Sequence, residues 1–367
     1  MSAKRRSGLA GALHGAEVIV CCGSGGVGKT TTAAVLGIEA ARDGRRVVVV
    51  TIDPARRLAD ALGLTDGLAA EPQHIELADA PGELWAMMLN TTATFDGLVR
   101  RYAADESQAR RILDNRFYRN ISSALSGTQE YMAGEKLYEL HEEDHFDLVV
   151  VDTPPTRHAL DFVDASRRLT NFLDHRLYRL LMSPSRAYLR AVNLAAQAFV
   201  RTVSKVVGGE VLDDALAFFS AFEGMEGGFR DRAERVQALL SDDATAFILV
   251  TSPRADTVAE ATFFASKLEE SGISVASLIL NRMHPRFGTG RPDADRARAR
   301  TYAGSDLGSL YANLGDLRAI ADGEEEALAG LSARVSGASV VRVPFLADDV
   351  HDLATLDEVG AHLFGRA

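Results

Sequence analysis

The chain has 367 residues, 47% hydrophobic and 25% charged, with a formal net charge of −11. Such a composition is that of a globular chain with room for one large domain or two small ones. The acidic balance argues against nucleic acid as a main partner, because phosphate backbones need basic surface. No apolar run reaches the roughly 20 residues of a membrane span, which argues against stable membrane insertion.

The start, M-S-A-K-R-R-S-G, is basic and lacks a signal core, so residues 1–14 read as a flexible tail of a cytoplasmic protein, with the main domain over 15–367. The stretch Val18–Thr32 is V-I-V-C-C-G-S-G-G-V-G-K-T-T-T. An apolar strand ends in a glycine turn and opens a helix, and Gly23–Thr30 fits the phosphate-loop pattern G-x-x-x-x-G-K-[ST]. Gly23, Gly25, Gly26 and Gly28 let the backbone wrap a polyphosphate with its N–H groups inward, and Ser24, Val27 and Thr31 complete the cradle. Lys29 reaches the β- and γ-phosphates of ATP, the Thr30 hydroxyl ligates Mg²⁺, and the helix end favours the anion. Cys21 and Cys22 are the only cysteines; as strand neighbours they point to opposite faces and read as core packing, so no cysteine zinc site is expected.

Thr30–Arg42 is helical in pattern, and Arg46–Asp53 (R-V-V-V-V-T-I-D) is a strand buried on both faces. Strand, helix, strand with short connections makes a βαβ unit. The expected fold class is therefore α/β, a doubly wound and mostly parallel sheet of the P-loop NTPase type. Asp53, at the strand's carboxyl end, reads as catalytic or nucleotide-sensing, with a helix cap as the alternative. Leu84–Leu89 is another strand. Asn90–Leu140 is helical, with breaks near Asp114 and Gly127. Phe146–Asp152 (F-D-L-V-V-V-D) is a strand ending in the second acidic element, where Asp152 holds Mg²⁺ through its water shell.

Thr153–His158 reads as a stiff turn, and Ala159–Leu240 as helical. The segments of about 90–145 and 160–240 thus form a helical subdomain inserted in the sheet. Within it, Leu189–Val207 and Phe218, Phe219 and Phe222 read as core, or alternatively as a groove for an apolar client segment. The α/β pattern resumes with a strand at Ala246–Thr251, a helix at Asp256–Ser271 and a strand at Ser274–Asn281. Arg286–Thr301 reads as an exposed loop. A helix at Leu307–Val335, a strand at Ser339–Val343 and a helix at Leu353–Phe364 close the chain.

Four motifs in this order resemble the ArsA-like family of arsenite-pump ATPases and ATPases that deliver tail-anchored membrane proteins. They are G-S-G-G-V-G-K-T-T-T, T-I-D-P-A-R-R-L-A-D-A-L, V-V-D-T-P-P-T-R-H-A-L-D-F and V-P-F-L-A-D-D-V. The resemblance implies that Asp53 positions the attacking water and, like Asp152, stands near the Mg²⁺ water shell. It implies that Asn281 binds adenine and that Val343, Pro344 and Phe345 enclose the ring. It further implies dimers with nucleotide at the interface and a helical subdomain that faces the client.

The departures carry their own expectations. Ser24 stands where the family has a lysine that reaches the partner's nucleotide, Arg157 replaces a glycine, and Arg254 stands where glutamate is frequent. A homodimer would lack the cation unless Arg56, Arg57 or Arg157 substitutes; a heterodimer with a lysine-bearing paralogue would regain it at one site. The absence of further cysteines argues against arsenite export. The alternatives are a non-hydrolysing nucleotide-binding regulatory subunit and a ParA- or MinD-like positioning ATPase.

Overall fold

The computed structural model describes residues 8–53, 56–78, 80–119, 128–154, 165, 167–171 and 209–366. Arg157, with most of the turn around it, and the stretch Leu189–Val207 lie outside the described residues. The chain divides into two compact units. The first comprises Met1–Met88, Leu140–Leu160 and Ser241–Ala367, and the second Leu89–Glu139 and Asp161–Leu240.

The first unit is built on an eight-stranded sheet. Its strands are β1 (Val18–Cys22), β2 (Arg46–Thr51), β3 (Gln73–Ile75), β4 (Glu83–Met88), β5 (Leu148–Asp152), β6 (Thr245–Thr251), β7 (Val275–Met283) and β8 (Ser339–Pro344). They lie in the order β3-β4-β2-β5-β1-β6-β7-β8, and only the β3–β4 pair is antiparallel. This is an α/β fold of the P-loop NTPase type. The runs V-I-V-C-C and L-V-V-V-D are buried at every position, as strands covered on both faces require.

On one face, Ile19, Val49, Val150 and Val250 join a core with α1 (Leu9–Gly15), α2 (Lys29–Arg42) and the closing helix α12 (Leu353–Leu363). Between them in sequence, α3 (Arg57–Ala61) is a short helix after the β2 edge. Farther along, α9 (Ala255–Glu270) packs on β6, and α11 (Asp306–Arg334) packs on both β7 and α9.

Two sequence expectations are corrected here. Residues 9–14, expected within a flexible tail, belong to α1, because Leu9 and Leu13 lie four residues apart and bury against the sheet core. Residues 292–301, expected as loop, form α10 (Pro292–Thr301). Pro292 suits the first turn, Asp293 and Asp295 lie at the positive helix end, and Arg298 and Arg300 at the negative end. Asp295 is fully buried and ion-paired to Arg318 of α11, a partner that local sequence cannot reveal.

The second unit is helical: α4 (Thr91–Tyr102), α5 (Glu106–Leu113), all but the last three residues of α6 (Thr128–Glu142), α7 (Gly209–Phe222) and α8 (Glu226–Leu240). Asn90 and Asp105 cap α4 and α5 by accepting from the N–H groups of Ala93 and Gln108. Phe218 and Phe222 are buried with Tyr118, Met132 and Phe229, and Phe219 packs against the same core. One buried ion pair crosses this unit, Arg232 Nε to Glu135 Oε1 at 2.6 Å. Among the described residues no helix is long and apolar enough to cross a membrane.

Candidate functional site

Parallel pairing sets the site's first dimension. Cys21 of β1 and Thr51 of β2 both pair with Asp152 of β5, so three strands end at one level. Chain segments leaving that level carry the loop after β1, Asp53 after β2 and Thr153 after β5. Thr153 ties two of them together, donating from its hydroxyl to the Cys21 carbonyl at 2.8 Å.

The loop's glycines are dictated by space. Gly23 has φ 147°, and a Cβ there would lie 2.1 Å from the Val250 carbonyl oxygen. Gly28 has φ 99°, and a Cβ would lie 2.3 Å from Asn281 Nδ2. Both positions combine left-handed backbone with contact that no side chain fits. The helix α2 then begins at Lys29.

Lys29 is only 6% exposed, and its ammonium donates to the Ser24 carbonyl at 2.8 Å. Burial lowers its pKa, while the nearby Asp152 opposes that shift. Ser24 itself is 3% exposed, and its Oγ has no hydrogen-bond partner among the described residues. The Thr30 hydroxyl donates to Asp152 Oδ2 at 2.7 Å, and Thr51 donates to the same oxygen at 3.1 Å. Asp152 Oδ1 is buried and has no hydrogen-bond partner among the described residues. Burial pushes the Asp152 carboxyl up to about 6, against the pull of Thr30 and Lys29. The cysteines are buried thiols, and burial raises Cys22 to about 12.

Asp53 accepts from Arg57 Nη1 at 3.4 Å. Arg56 donates to the Thr65 carbonyl. Of the arginines considered as substitute cations, Arg57 thus meets the carboxylate of Asp53 and Arg56 a main-chain oxygen.

The other side of the loop meets β7. Asn281 Nδ2 donates to the Val27 carbonyl at 2.8 Å. A cavity of about 650 Å³ opens there, lined by Gly28, Thr31, Asn281, Val343, Pro344 and Phe345 among others. Phe345 is 60% exposed and stacks on His284, with ring centres 6.1 Å apart. Its N–H donates to the Met283 carbonyl at 2.8 Å. Asn281, Val343, Pro344 and Phe345 therefore line one cavity, while Lys29, Thr30, Asp53 and Asp152 gather at the strand ends.

These residues fit a polyphosphate with a divalent cation. The loop is a cradle that a Cβ at Gly23 or Gly28 would fill, and the buried Asp152 Oδ1 and Ser24 Oγ lack partners among the described residues. Thr30 and Asp152 are the groups that would hold the cation, which neutralises phosphate charge when bound.

Two residues escaped the sequence reading. Thr51 fixes Asp152, and its signal was its place two residues before Asp53. Arg282, after Asn281, also lines the cavity. Its conformation leaves no mark in the sequence.

Fold and loop together define a protein of the P-loop NTPase type. The anion-transporting ATPase family model matches residues 16–287, and the chain belongs to that family. It is 28% identical over 313 residues to ATPase ARSA1 of Chlamydomonas reinhardtii, a match covering 78% of this chain and 38% of that protein. It is 31% identical over 145 residues to ATPase GET3 of Malassezia globosa, covering 40% of this chain and 41% of the relative. With ATPase get3 of Aspergillus terreus it shares 26% identity over 283 residues, covering 76% of each. The chain thus spans less than half the length of the first two of these relatives.

Proposed function

We propose that this chain is a Mg²⁺-dependent ATPase that works as a nucleotide-driven switch in protein targeting, as a dimer. One observation carries the reading. The Thr30–Asp152 pair, with an unpartnered buried carboxylate oxygen, lies beside the buried ammonium of Lys29 in a glycine cradle. Lys29 binds the phosphates, Thr30 and Asp152 hold Mg²⁺, and Asp53 positions the attacking water. Asn281, Val343, Pro344 and Phe345 receive the adenine. Family membership and relatives named as ATPases support the activity. The resemblance to ATPases that deliver tail-anchored proteins supports an apolar client segment, received by the helical unit.

Ser24 bears on the dimer. A serine carries no charge, and at 3% exposure its side chain is buried. This favours a lysine-bearing paralogue as partner, or a second reading in which the chain binds nucleotide as a regulatory subunit without hydrolysing it. Titration calorimetry with Mg-ATP, run with turnover assays, separates these from each other and from no function at all. Lys29→Ala is expected to lose about 3 kcal/mol of binding or transition-state stabilisation, the size of one preorganised charge contact. Unchanged affinity and turnover in that variant would overturn the assignment. Tight binding without turnover, alone or with the paralogue, would select the regulatory reading.

A further inference from the structure

Arg282 occupies a place that an arginine rarely takes. Its φ is +60°, and among the described residues it is the sole non-glycine with positive φ. A Cβ makes that conformation unfavourable, so it persists only where the surroundings over-determine it. A register shift and two hydrogen bonds do so here. The register between β7 and β8 shifts between Leu280 and Met283, so Asn281 and Arg282 bulge from the ladder. The Arg282 N–H donates to Asn281 Oδ1 at 2.9 Å. Its guanidinium Nη1 donates to the Gly26 carbonyl of the phosphate loop at 3.1 Å. Bulges of this kind re-aim side chains beside sites.

The outcome is a second cation on the loop. Lys29 sits on the Ser24 carbonyl and Arg282 on the Gly26 carbonyl, two residues further along. Arg42, Arg46, Arg254, Arg286 and Arg342 each meet a carboxylate. Arg282 meets none among the described residues, although the chain as a whole carries a net charge of −11. It is exposed and lines the cavity that also contains Gly28, Thr31 and Asn281. Asp348 and Asp349 line the same cavity, so an anion in it is confined to the wall formed by the loop and Arg282. A guanidinium presents five donors in a fixed fork, and one of them is spent on Gly26.

We propose that Arg282 binds the phosphate chain of the nucleotide from within its own subunit, as a cation supplementary to Lys29. The proposal rests on the reading of the loop as a Mg-ATP site. It assigns to the strained bulge a purpose, which is to bring a positive charge to the outer side of a loop whose only other cation is Lys29.

The test is calorimetric titration of the full chain with Mg-ATP and Mg-ADP at about 50 and 300 mM salt. Arg282→Gln is expected to weaken both nucleotides about ten-fold at low salt, the size of one charge-assisted hydrogen bond. The gap should narrow at high salt, because the group is exposed and screened. Arg282→Lys should recover most of the low-salt affinity. Arg282→Gly removes the charge and relieves the left-handed backbone, so it guards against misfolding, and it should bind as weakly as Arg282→Gln. A loss that is indifferent to salt and not recovered by Arg282→Lys would reduce Arg282 to a brace for Gly26 and overturn the proposal. Wild-type affinity in Arg282→Gln and Arg282→Gly, with Lys29→Ala still impaired, would overturn it while leaving the loop reading intact. Wild-type affinity in Lys29→Ala as well would mean that the loop reading itself has failed.

Discussion

Asp152→Asn should stabilise the nucleotide-free protein while impairing it as an enzyme. The carboxyl is completely buried, and its pKa lies at about 6 against an ordinary 3.8. A shift of that size corresponds to about 3 kcal/mol of cost for the ionised form. The amide retains an oxygen that accepts from Thr30 and Thr51, but its Nδ2 falls where Oδ1 now has no partner. An unsatisfied buried donor costs about 1–3 kcal/mol. The net gain is therefore about 1 kcal/mol, or about 1 °C in the melting midpoint of a chain of 367 residues. The pH dependence gives the sign. Below the unfolded value of 3.8 the carboxyl is neutral in both states and there is no penalty. Above about 6 it is ionised in both, and the folded state bears the whole penalty. Wild-type stability should therefore fall as pH rises between those values, and the Asn variant should lack that component. Melting curves at pH 5.0 and 7.5 without nucleotide or Mg²⁺ are the assay, with about 1 kcal/mol of the variant's advantage gone at pH 5.0. A variant that is less stable at pH 7.5, or a difference that does not change with pH, would refute the burial argument.

Other substitutions probe the remaining roles. Asp53→Asn should leave Mg-ATP affinity within about two-fold and lower turnover by about 10²-fold or more, the range of a positioned acid–base group; equal losses in calorimetry and turnover would make Asp53 structural. Glu135→Ala leaves Arg232 buried beside a void and should cost about 3–5 kcal/mol, read by denaturant unfolding. Mixing this chain with a lysine-bearing paralogue should give turnover that collapses on Lys29→Ala here but survives the equivalent change in the partner, because only this chain's nucleotide would receive a lysine across the interface. Rapid hydrolysis by this chain alone would refute that asymmetry.

Which parts of the fold were legible follows from how local their causes are. β1, β2, β5 and β6 are continuous apolar runs, and the loop has a spelling that sterics impose at Gly23 and Gly28. Strand ends could be placed within a few residues, which was enough to set Asp53 and Asp152 at the sheet's carboxyl edge. Helix α1 was not legible because seven residues do not nucleate a helix alone, and its stability comes from Leu9 and Leu13 against a core distant in sequence. Helix α10 was hidden by its charges. P-D-A-D-R-A-R-A-R has the composition of a solvated loop until Arg318 supplies Asp295 with its partner. The three-residue strand β3 is held by its antiparallel pairing with β4 and by burial of Ile75 in the core. At the site, residue types announced Lys29, Thr30 and Asp152, whereas the left-handed backbone at Arg282 depends on a register shift between two strands.

The order of strands decides what the loop after β1 touches on each side. β2, β5 and β1 are neighbours and bring the two aspartates beside the loop's start, while β7 lies beyond β6 on the other side. The loop must cross the end of β6 to reach it, which is why the Val250 carbonyl of β6 stands where a Gly23 Cβ would be. Having crossed, it is fastened to β7 twice, at Val27 by Asn281 and at Gly26 by Arg282. At its start it is fastened by Lys29 on the Ser24 carbonyl. The segment Ser24–Val27 is thus held on one side by Lys29 and on the other by residues that line the cavity. Substitutions at Asp152 or Asp53 act on the strand-end side and leave the β7 fastenings in place. Substitution of Asn281 releases the Val27 fastening and should alter the loop's contacts along with those of the cavity. The cavity and the phosphate side are therefore separable in one direction and coupled in the other.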